Sequence, residues 1–463
     1  MTNRIEKDAL GEVRVPADAL YGAHTARAVQ NFPISGTGIG SEMIRALGSI
    51  KKAAAQVNTE LGRLDPGLSD AVVRAAEEVI GGEHDRHFPV DVFQTGSGTS
   101  SNMNANEVIA ARANQILGGN LPDRSPVHPN DHVNMGQSSN DVFPTAIHLC
   151  SLQGIERELL PALESARRTL VARAEQFDGI VKIGRTHLQD ATPVRLGQEF
   201  SGFAAQLERG IAHLTQTSDG LRELALGGTA VGTGINTDPR FGELMAARLS
   251  QATGIDFREA ADHFEAQSAR DAAVRTSGAL KAIGVSLIKI ADHLRWLASG
   301  PRLGLGELVL PEVQPGSSIM PGKVNPVIAE SLIQAAAQVI GNDAAITVGG
   351  MLGHFQLNAM QPLIARNLLE QIRLLTAAVG NFDRRLLQGL QADEERIASS
   401  IELSLALATA LAPVVGYERA AAIARRARDE GKTVREVAVA EAVLPEEELE
   451  RLLDPRRQTE AGY

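Results

Sequence analysis

The chain has 463 residues, of which 43% are hydrophobic, and its formal net charge is −11. This length allows a large core and predicts two or three structural units rather than one. The acidic balance disfavours nucleic acid as a partner, because a polyanion is repelled, whereas a small anion can still bind to a local cluster of donors.

Cysteine usage indicates a reducing compartment. Cys150 is the single cysteine, so an internal disulfide is excluded, and one thiol cannot by itself hold zinc or an iron–sulfur cluster. The N-terminal sequence MTNRIEKDALGEV lacks the apolar stretch of a secretory signal, and no run of about 18 apolar residues predicts a membrane span. We therefore expect a cytoplasmic protein.

The first part of the chain is turn-rich, with a short strand pair predicted around Gly11–Val15. Helices are predicted at 41–61 and 66–80. A polar segment rich in Gly, Ser, Thr and Asn follows at 87–106. We assign residues 1–138 to an N-terminal helical domain.

Five long stretches with helical periodicity make up the middle of the chain. In one of them Leu280, Ile283, Leu287 and Ile290 are spaced by three or four residues, which is the repeat of an α-helix. Rods of similar length pack as a bundle. We predict a mostly α protein with a central five-helix bundle in residues 139–392 and a small C-terminal helical domain in residues 393–463. The bundle helices are expected at 139–177, broken at Pro161, and at 196–224, 271–298, 326–345 and 357–390.

These helices have few strictly polar faces. A thick core within one chain is one explanation, and contact with partner subunits is the interpretation we favour, because five rods in one chain leave much lateral surface.

Four polar segments adjoin the long helices: Thr95–Glu107, Val127–Asp141, Gly184–Pro193 and Pro315–Pro326. Each is dense in hydroxyls, amides and glycine, and we interpret all four as loops. Glycine lets backbone N–H groups approach a ligand closely, and helix N-termini add partial positive charge. Any one of them is equally well an ordinary capped turn, but their recurrence favours a carboxylate-binding site that needs no metal.

Individual residues in these segments carry alternative interpretations. His187, beside Arg185 and Asp190, is the best candidate for an acid or base, although a lone histidine is as often structural. His128 and His132 have the spacing of a metal pair, but Pro129 disfavours a helix there and no third ligand is evident, so we expect no metal and no cofactor. The sequence GGTAVGTG at 227–234 lacks the ending of a phosphate loop and predicts a turn between helices.

Together the segments resemble a known enzyme family. The sequence GSSIMPGKVNP closely resembles the signature of the fumarase/aspartase superfamily, and SGTSSNMNANEV, HPNDHVN, QSSND, GRTHLQDATP and GGTAVGTG resemble its other blocks in order. The resemblance covers about residues 11–431 and is closest to the metal-free class II fumarases. It implies a three-domain fold with a central bundle, a homotetramer whose active sites are each shared by three subunits, and the hydration of fumarate to (S)-malate in the tricarboxylic acid cycle.

The resemblance also implies residue roles. Ser317 resembles the base that takes the C3 proton, His187 the residue that acts through water on the hydroxyl, and Glu330 the carboxylate that pairs with this histidine. Substrate ligands are implied at Ser97, Gly98, Thr99, Ser138, Ser139, Asn140, Thr186, Ser318, Lys323, Val324 and Asn325. A peripheral dicarboxylate site is implied at His128, Pro129, Asn130 and Asp131.

Some positions depart from the class II pattern. Tyr21–Thr25 reads YGAHT, which is closer to aspartases. Ser125 stands where many fumarases have an arginine of the peripheral site, and Arg124 is one residue early. Met135 and Gly136 replace a common Lys-Ser pair, and Gln356 stands where glutamate is frequent.

Two alternatives stay open. The first is an aspartase-type ammonia-lyase; Ser139, His187 and the sequences DATP and MPGKVNP favour fumarase over it. The second is a helical protein that kept the fold and lost activity, as crystallins related to these lyases did; the intact His187, Ser317, Lys323 and Asn325 argue against it.

Overall fold

The computed structural model describes residues 2–121 and 125–462 and is mostly helical, which confirms the predicted fold class. The predicted strand pair is present, because β1 (Asn3–Asp8) pairs antiparallel with β2 (Gly11–Pro16). Three helices follow, α1 (Ala23–Asn31), α2 (Ser41–Glu60) and α3 (Pro66–Gly81). The last two begin and end within one residue of the predicted bounds.

Helix α4 (Thr99–Ile116) corrects the interpretation of the first polar segment as a loop. Most of that segment is helical, and its polar side chains are buried. Serine and asparagine disfavour helices because their side chains compete for backbone hydrogen bonds. Here those side chains are bonded elsewhere: Gln94 Oε1 accepts from the N–H and the hydroxyl of Ser101, and Asn104 Nδ2 donates to the His87 carbonyl at 2.9 Å.

The five predicted long helices are all present. The first is interrupted by a π-helical turn at Ile155–Leu159, just before Pro161. Proline lacks the N–H that would continue the α-helical pattern, so the chain changes its hydrogen bonding one turn earlier than we predicted. The apolar positions used for the prediction, such as Leu280, Leu287 and Ile290, are buried. The helices from this point are α5 (Ser139–Gly154), α6 (Leu160–Gln176), α7 (Leu196–Ser218), α8 (Phe241–Thr253), α9 (His263–Ser268), α10 (Asp271–Leu297), α11 (Val327–Gly350) and α12 (Gln361–Arg385).

The remaining strands are short, and the C-terminal part is helical as predicted. The third polar segment is not a loop but a hairpin of β3 (Val181–Thr186) and β4 (Gln189–Arg195). The other strands are β5 (Glu223–Leu224), β6 (Arg258–Glu259), β7 (Leu308–Val309), β8 (Gly353–His354), β9 (Leu357–Asn358) and β10 (Gln391–Ala392). The last helices are α13 (Glu394–Ile401), α14 (Ala412–Val415), α15 (Tyr417–Glu430), α16 (Val434–Ala440) and α17 (Glu446–Leu452).

The chain divides into two compact units. One comprises Met1–Pro161, Ala212–Gly284 and Ala337–Thr376, and the other Ala162–Ile211, Val285–Ala336 and Ala377–Tyr463. The three-domain division predicted from the sequence, with boundaries after residues 138 and 392, stays a prediction. Within the described ranges no single helix is long and apolar enough to cross a membrane, although the bent pair Glu394–Ile401 and Leu405–Val415 meets the length and composition criteria together.

Candidate active site

Two hydroxyls lie together where α4 begins. Ser97 Oγ and Thr99 Oγ1 are 2.7 Å apart, on either side of Gly98. Gly98 has a φ of +74°, and a Cβ there would lie 2.1 Å from the Phe143 ring, so only glycine fits. The first turn of a helix has N–H groups without intrahelical partners, and these groups and the two hydroxyls are the kind of donor that suits an anion.

A second set of donors lies where α5 begins. Ser138 caps this helix, with its Oγ accepting from the Asn140 N–H, and Asn140 Nδ2 donates to the Ala230 carbonyl at 2.8 Å. Ser139 is buried, and its Oγ accepts from Asn102 Nδ2 at 3.0 Å. Because Asn102 lies one turn after Thr99 on α4, this bond connects the first and second predicted segments directly.

Asp141 holds the second segment against the glycine-rich turn at 227–234. It accepts from the Ser138 N–H at 2.9 Å, from the Thr229 N–H at 2.9 Å and from the Gly227 N–H at 3.3 Å. Burial raises the pKa of its carboxyl to about 7, while these donors lower it. The predicted turn at 227–234 is present, but it follows the short strand β5 and not a helix, and its backbone binds Asp141.

His187 lies at the tip of the β3–β4 hairpin. His187 and Leu188 form a two-residue turn between Thr186 and Gln189, and both have positive φ values, 54° and 61°. Such turns normally use asparagine and glycine, because other side chains are strained there. Backbone strain of this kind is typical of functional sites. Thr186 and His187 are exposed, and Leu188 is 70% exposed.

The base of the hairpin is fixed by buried charges that we did not predict. Glu307 is 3% exposed and forms ion pairs with Lys182 at 2.9 Å and with Arg185 at 2.7 Å. Lys182 also pairs with Glu199 at 3.1 Å. The two cations in one short strand, Lys182 and Arg185, could have indicated a buried ion pair, but their partner Glu307 lies more than a hundred residues away in the sequence. These pairs hold the strand that leads to His187.

The fourth predicted segment is a loop closed by its own backbone. The Gly316 N–H donates to the Lys323 carbonyl at 2.9 Å, and Asn325 Nδ2 donates to the Gly316 carbonyl at 2.5 Å. A Cβ at Gly316 would lie 2.1 Å from the Lys323 carbonyl oxygen, which explains the glycine. The predicted ligands Ser318, Lys323 and Val324 are exposed.

Ser317 receives two backbone donors. Its Oγ accepts from the Ile319 N–H at 3.2 Å and from the Met320 N–H at 3.0 Å. Both donors belong to the residues that directly follow Ser318. Glu330 lies in the first turn of α11, half-buried, and in the described chain it makes no ion pair with His187. The predicted pairing of these two residues is therefore not made within one chain.

The predicted peripheral site forms a tight turn. His128 caps a π-helical turn at Pro129–Val133, its Nδ1 accepting from the N–H groups of Asn130 and Asp131 at 3.3 and 3.2 Å. His132 Nδ1 accepts from the His128 N–H at 2.8 Å, so one nitrogen of each imidazole is already used within the turn. Arg124 lies outside the described residues. No group of three or more metal-binding side chains is found within residues 2–121 and 125–462.

Comparisons with known proteins cover the whole chain. A family model described as lyase matches residues 11–341, and one described as fumarase C C-terminus matches residues 407–460. A fumarate hydratase class II of Halobacterium salinarum is 56% identical over 99% of this chain and 97% of its own length. The mitochondrial fumarate hydratase of Danio rerio is 51% identical over 98% of this chain and 89% of its own.

Solved structures agree with the sequence comparisons. A class II fumarase from Schistosoma mansoni superposes with a TM-score of 0.97 at 38% identity and covers 100% of both chains. A Brucella melitensis protein described as fumarate lyase:delta crystallin bound to cobalt has a TM-score of 0.95 at 48% identity, covering 99% of this chain and 100% of its own.

Proposed function

The chain belongs to the class II fumarase family of lyases, and we propose on this premise that it interconverts fumarate and water with (S)-malate. The observation that carries this function is the 56% identity, over almost its entire length, to a fumarate hydratase. When malate is dehydrated, a proton leaves C3, a hydroxyl leaves C2, and the double bond of fumarate forms between these two carbons. Side chains and water suffice for both departures, so the proposal includes no metal or cofactor.

Ser317 is the proposed base. Removing a proton next to a carboxylate places a second negative charge on that carboxylate, and preorganised donors give the largest stabilisation of such charge. A serine becomes a base only as an alkoxide, which needs donors of its own. The N–H groups of Ile319 and Met320 supply two, which supports this role. Lys323 and Asn325 are proposed to stabilise the doubly charged carboxylate, with Ser318 and Val324 beside them.

His187 is the proposed acid for the departing hydroxyl, acting through a water molecule, with Glu330 of another subunit oriented toward it. The position of His187 at the strained and exposed tip of the hairpin supports this role. Thr186, next to it, has an exposed hydroxyl suited to the same water or to a carboxylate.

The helix starts at 97–99 and 138–140 are the proposed carboxylate sites. Their hydroxyls and the Asn140 amide are neutral donors for a dianion, and the positive ends of the α4 and α5 dipoles favour it. The turn at 128–131 is the proposed peripheral dicarboxylate site.

We propose a homotetramer in which three subunits contribute to each active site, working in the cytoplasm. Exposed apolar side chains next to the proposed catalytic residues support the assembly: Leu188 is 70% and Ile319 84% exposed. Contiguous exposed apolar surface is usually covered by partner protein, and we propose that both side chains belong to such a surface. The cytoplasmic location is supported by the single cysteine, Cys150, which is free and buried.

The one sequence feature that favours an ammonia-lyase has a structural explanation. Tyr21–Thr25 leads into α1, and the Glu107 carboxylate accepts from the N–H groups of Gly22, His24 and Thr25. A Cβ at Gly22 would lie 2.6 Å from Glu6 Oε2. The YGAHT sequence thus forms the start of a helix that Glu107 caps, and we assign it no role in the choice between water and ammonia.

The function is tested by following fumarate formation from malate and from aspartate with one enzyme preparation. We expect aspartate to react at least about 10³-fold more slowly in kcat/KM, a gap of about 4 kcal/mol in transition-state binding. An ammonium leaving group needs acceptors around it, whereas the two side chains proposed to contact the leaving group or its water, His187 and Thr186, are an acid and a hydroxyl. Faster release from aspartate would refute the hydratase assignment. The malate rate should persist in the presence of a chelator.

A further inference from the structure

A buried lysine contacts the second polar segment, Val127–Asp141. Lys51, on α2, has no exposed surface, although its neighbour Lys52 forms a surface ion pair with Glu77 at 2.7 Å. Lys51 Nζ donates to Asn134 Oδ1 and to Gln137 Oε1, both at 2.9 Å. Burying an ammonium is costly unless it is fully hydrogen-bonded, so this position requires an explanation beyond packing.

The ammonium determines how the surrounding amides are oriented. Because it has donors and no acceptor, Asn134 must turn its carbonyl oxygen toward Lys51. The same oxygen accepts from Asn102 Nδ2 and Asn106 Nδ2, each at 3.2 Å. Both α4 asparagines therefore direct their NH₂ groups toward Asn134.

The orientation is passed on to a proposed substrate ligand. Asn102 Nδ2 donates to Ser139 Oγ at 3.0 Å as well as to Asn134. A hydroxyl has a single hydrogen, and since Ser139 accepts from Asn102, that hydrogen is directed elsewhere. A donor pointing away from the network suits a carboxylate, and an acceptor in its place would repel one.

We propose that Lys51 is a positioning residue for the dicarboxylate: through Asn134 and Asn102 it fixes Ser139 as a hydrogen-bond donor to the substrate. This inference rests on the proposed function, because it assumes that Ser139 binds a substrate carboxylate.

The charges around Lys51 are consistent with this role. Asp141, equally buried, is the charged group that faces it, and the neighbours Asn102, Asn106, Asn134 and Gln137 are neutral amides. Burial lowers the pKa of Lys51 to about 7, and the Asp141 carboxylate opposes that shift. Asp141 accepts from three backbone N–H groups, which oppose the burial that raises the pKa of its carboxyl.

The test compares Lys51→Met with Lys52→Met. The first removes the buried donor, and the second removes the same residue type from the surface of the same helix. We expect Lys51→Met to raise KM for fumarate and the Kd for succinate, a dicarboxylate without the double bond, at least tenfold, with kcat changing by less than about threefold. Lys52→Met should leave all three values unchanged.

Asn102→Leu and Asn106→Leu keep the inference testable if Lys51→Met fails to fold. Both asparagines donate to Asn134, but only Asn102 reaches Ser139. Asn102→Leu should therefore weaken succinate binding at least tenfold, while Asn106→Leu should not. Equal effects of the two substitutions would indicate a purely structural network and overturn the proposal.

A double-mutant cycle separates positioning from general damage. If Lys51 acts through Ser139, then Lys51→Met in a Ser139→Ala background should add less than about twofold to the succinate Kd. Full additivity would overturn the proposal. The wild-type enzyme, measured alongside, tests the function itself: failure to hydrate fumarate refutes the hydratase, whereas normal hydration with unaffected Lys51 and Asn102 variants refutes only this inference.

Discussion

Replacing Ser317 with alanine is expected to lower kcat by about 10⁴-fold, the upper end of the range for losing a general base. The C3 proton is weakly acidic, and the substitution leaves no oxygen at the position to which the Ile319 and Met320 N–H groups point. The loop should keep its shape, because its ends are joined by the Gly316 and Lys323 backbones. Initial rates of malate dehydration measure the effect.

Ser318→Ala is the matched comparison for this experiment. Ser318 is adjacent and exposed, and its proposed role is to bind substrate, so its loss should act mainly on KM. Melting temperatures of both variants should match the wild type. If Ser317→Ala retains more than a tenth of the wild-type kcat, Ser317 is not the base.

His187→Asn is expected to lower kcat by about 10²- to 10⁴-fold, the usual contribution of a general acid or base. Asparagine is the appropriate replacement because it tolerates the positive φ of 54° better than other residues with a side chain. The hairpin should therefore survive while the acid is lost. The measurement is kcat and KM for malate at a fixed pH.

His187→Ala provides the control for backbone effects. Alanine is strained at positive φ, so His187→Ala should lose stability as well as activity. If the loss of activity comes from the missing acid, His187→Ala and His187→Asn should lower kcat equally. An unchanged kcat with a raised KM in both would make His187 a binding residue instead of an acid.

Mixing the two inactive variants tests whether subunits share active sites. If the serine and the histidine of one site come from different chains, random hybrid tetramers of Ser317→Ala and His187→Asn contain intact sites in roughly a quarter of positions. We expect a corresponding recovery of activity after the variants are unfolded and refolded together. No recovery, with tetramers confirmed by light scattering, would mean that both residues act from the same chain.

The proposed chemistry of the site could be predicted from the sequence because its signals are local. His187 and Ser317 each lie in a short segment whose hydroxyls, glycines and amides signal an anion site without reference to the rest of the chain. The long helices were equally readable, since the spacing of residues such as Leu280 and Leu287 repeats with the helix itself. Both kinds of signal depend on neighbours within a few residues.

What surrounds those residues was decided only by the tertiary structure. In the sequence, Lys51 looks like an ordinary surface lysine beside Lys52. In the folded chain it lies on the inward face of α2 and donates to Asn134. Glu307 likewise meets Lys182 and Arg185 only in the folded chain.

The physical reason is that hydrophobic periodicity states which face is buried but not which polar group will lie opposite it. A buried donor depends on a partner at any distance along the chain. The sequence by itself therefore determined the helices and the family, and it supplied the residues proposed to react. The tertiary structure alone decided the strained backbone of His187, the donors to Ser317 and the buried network behind Ser139.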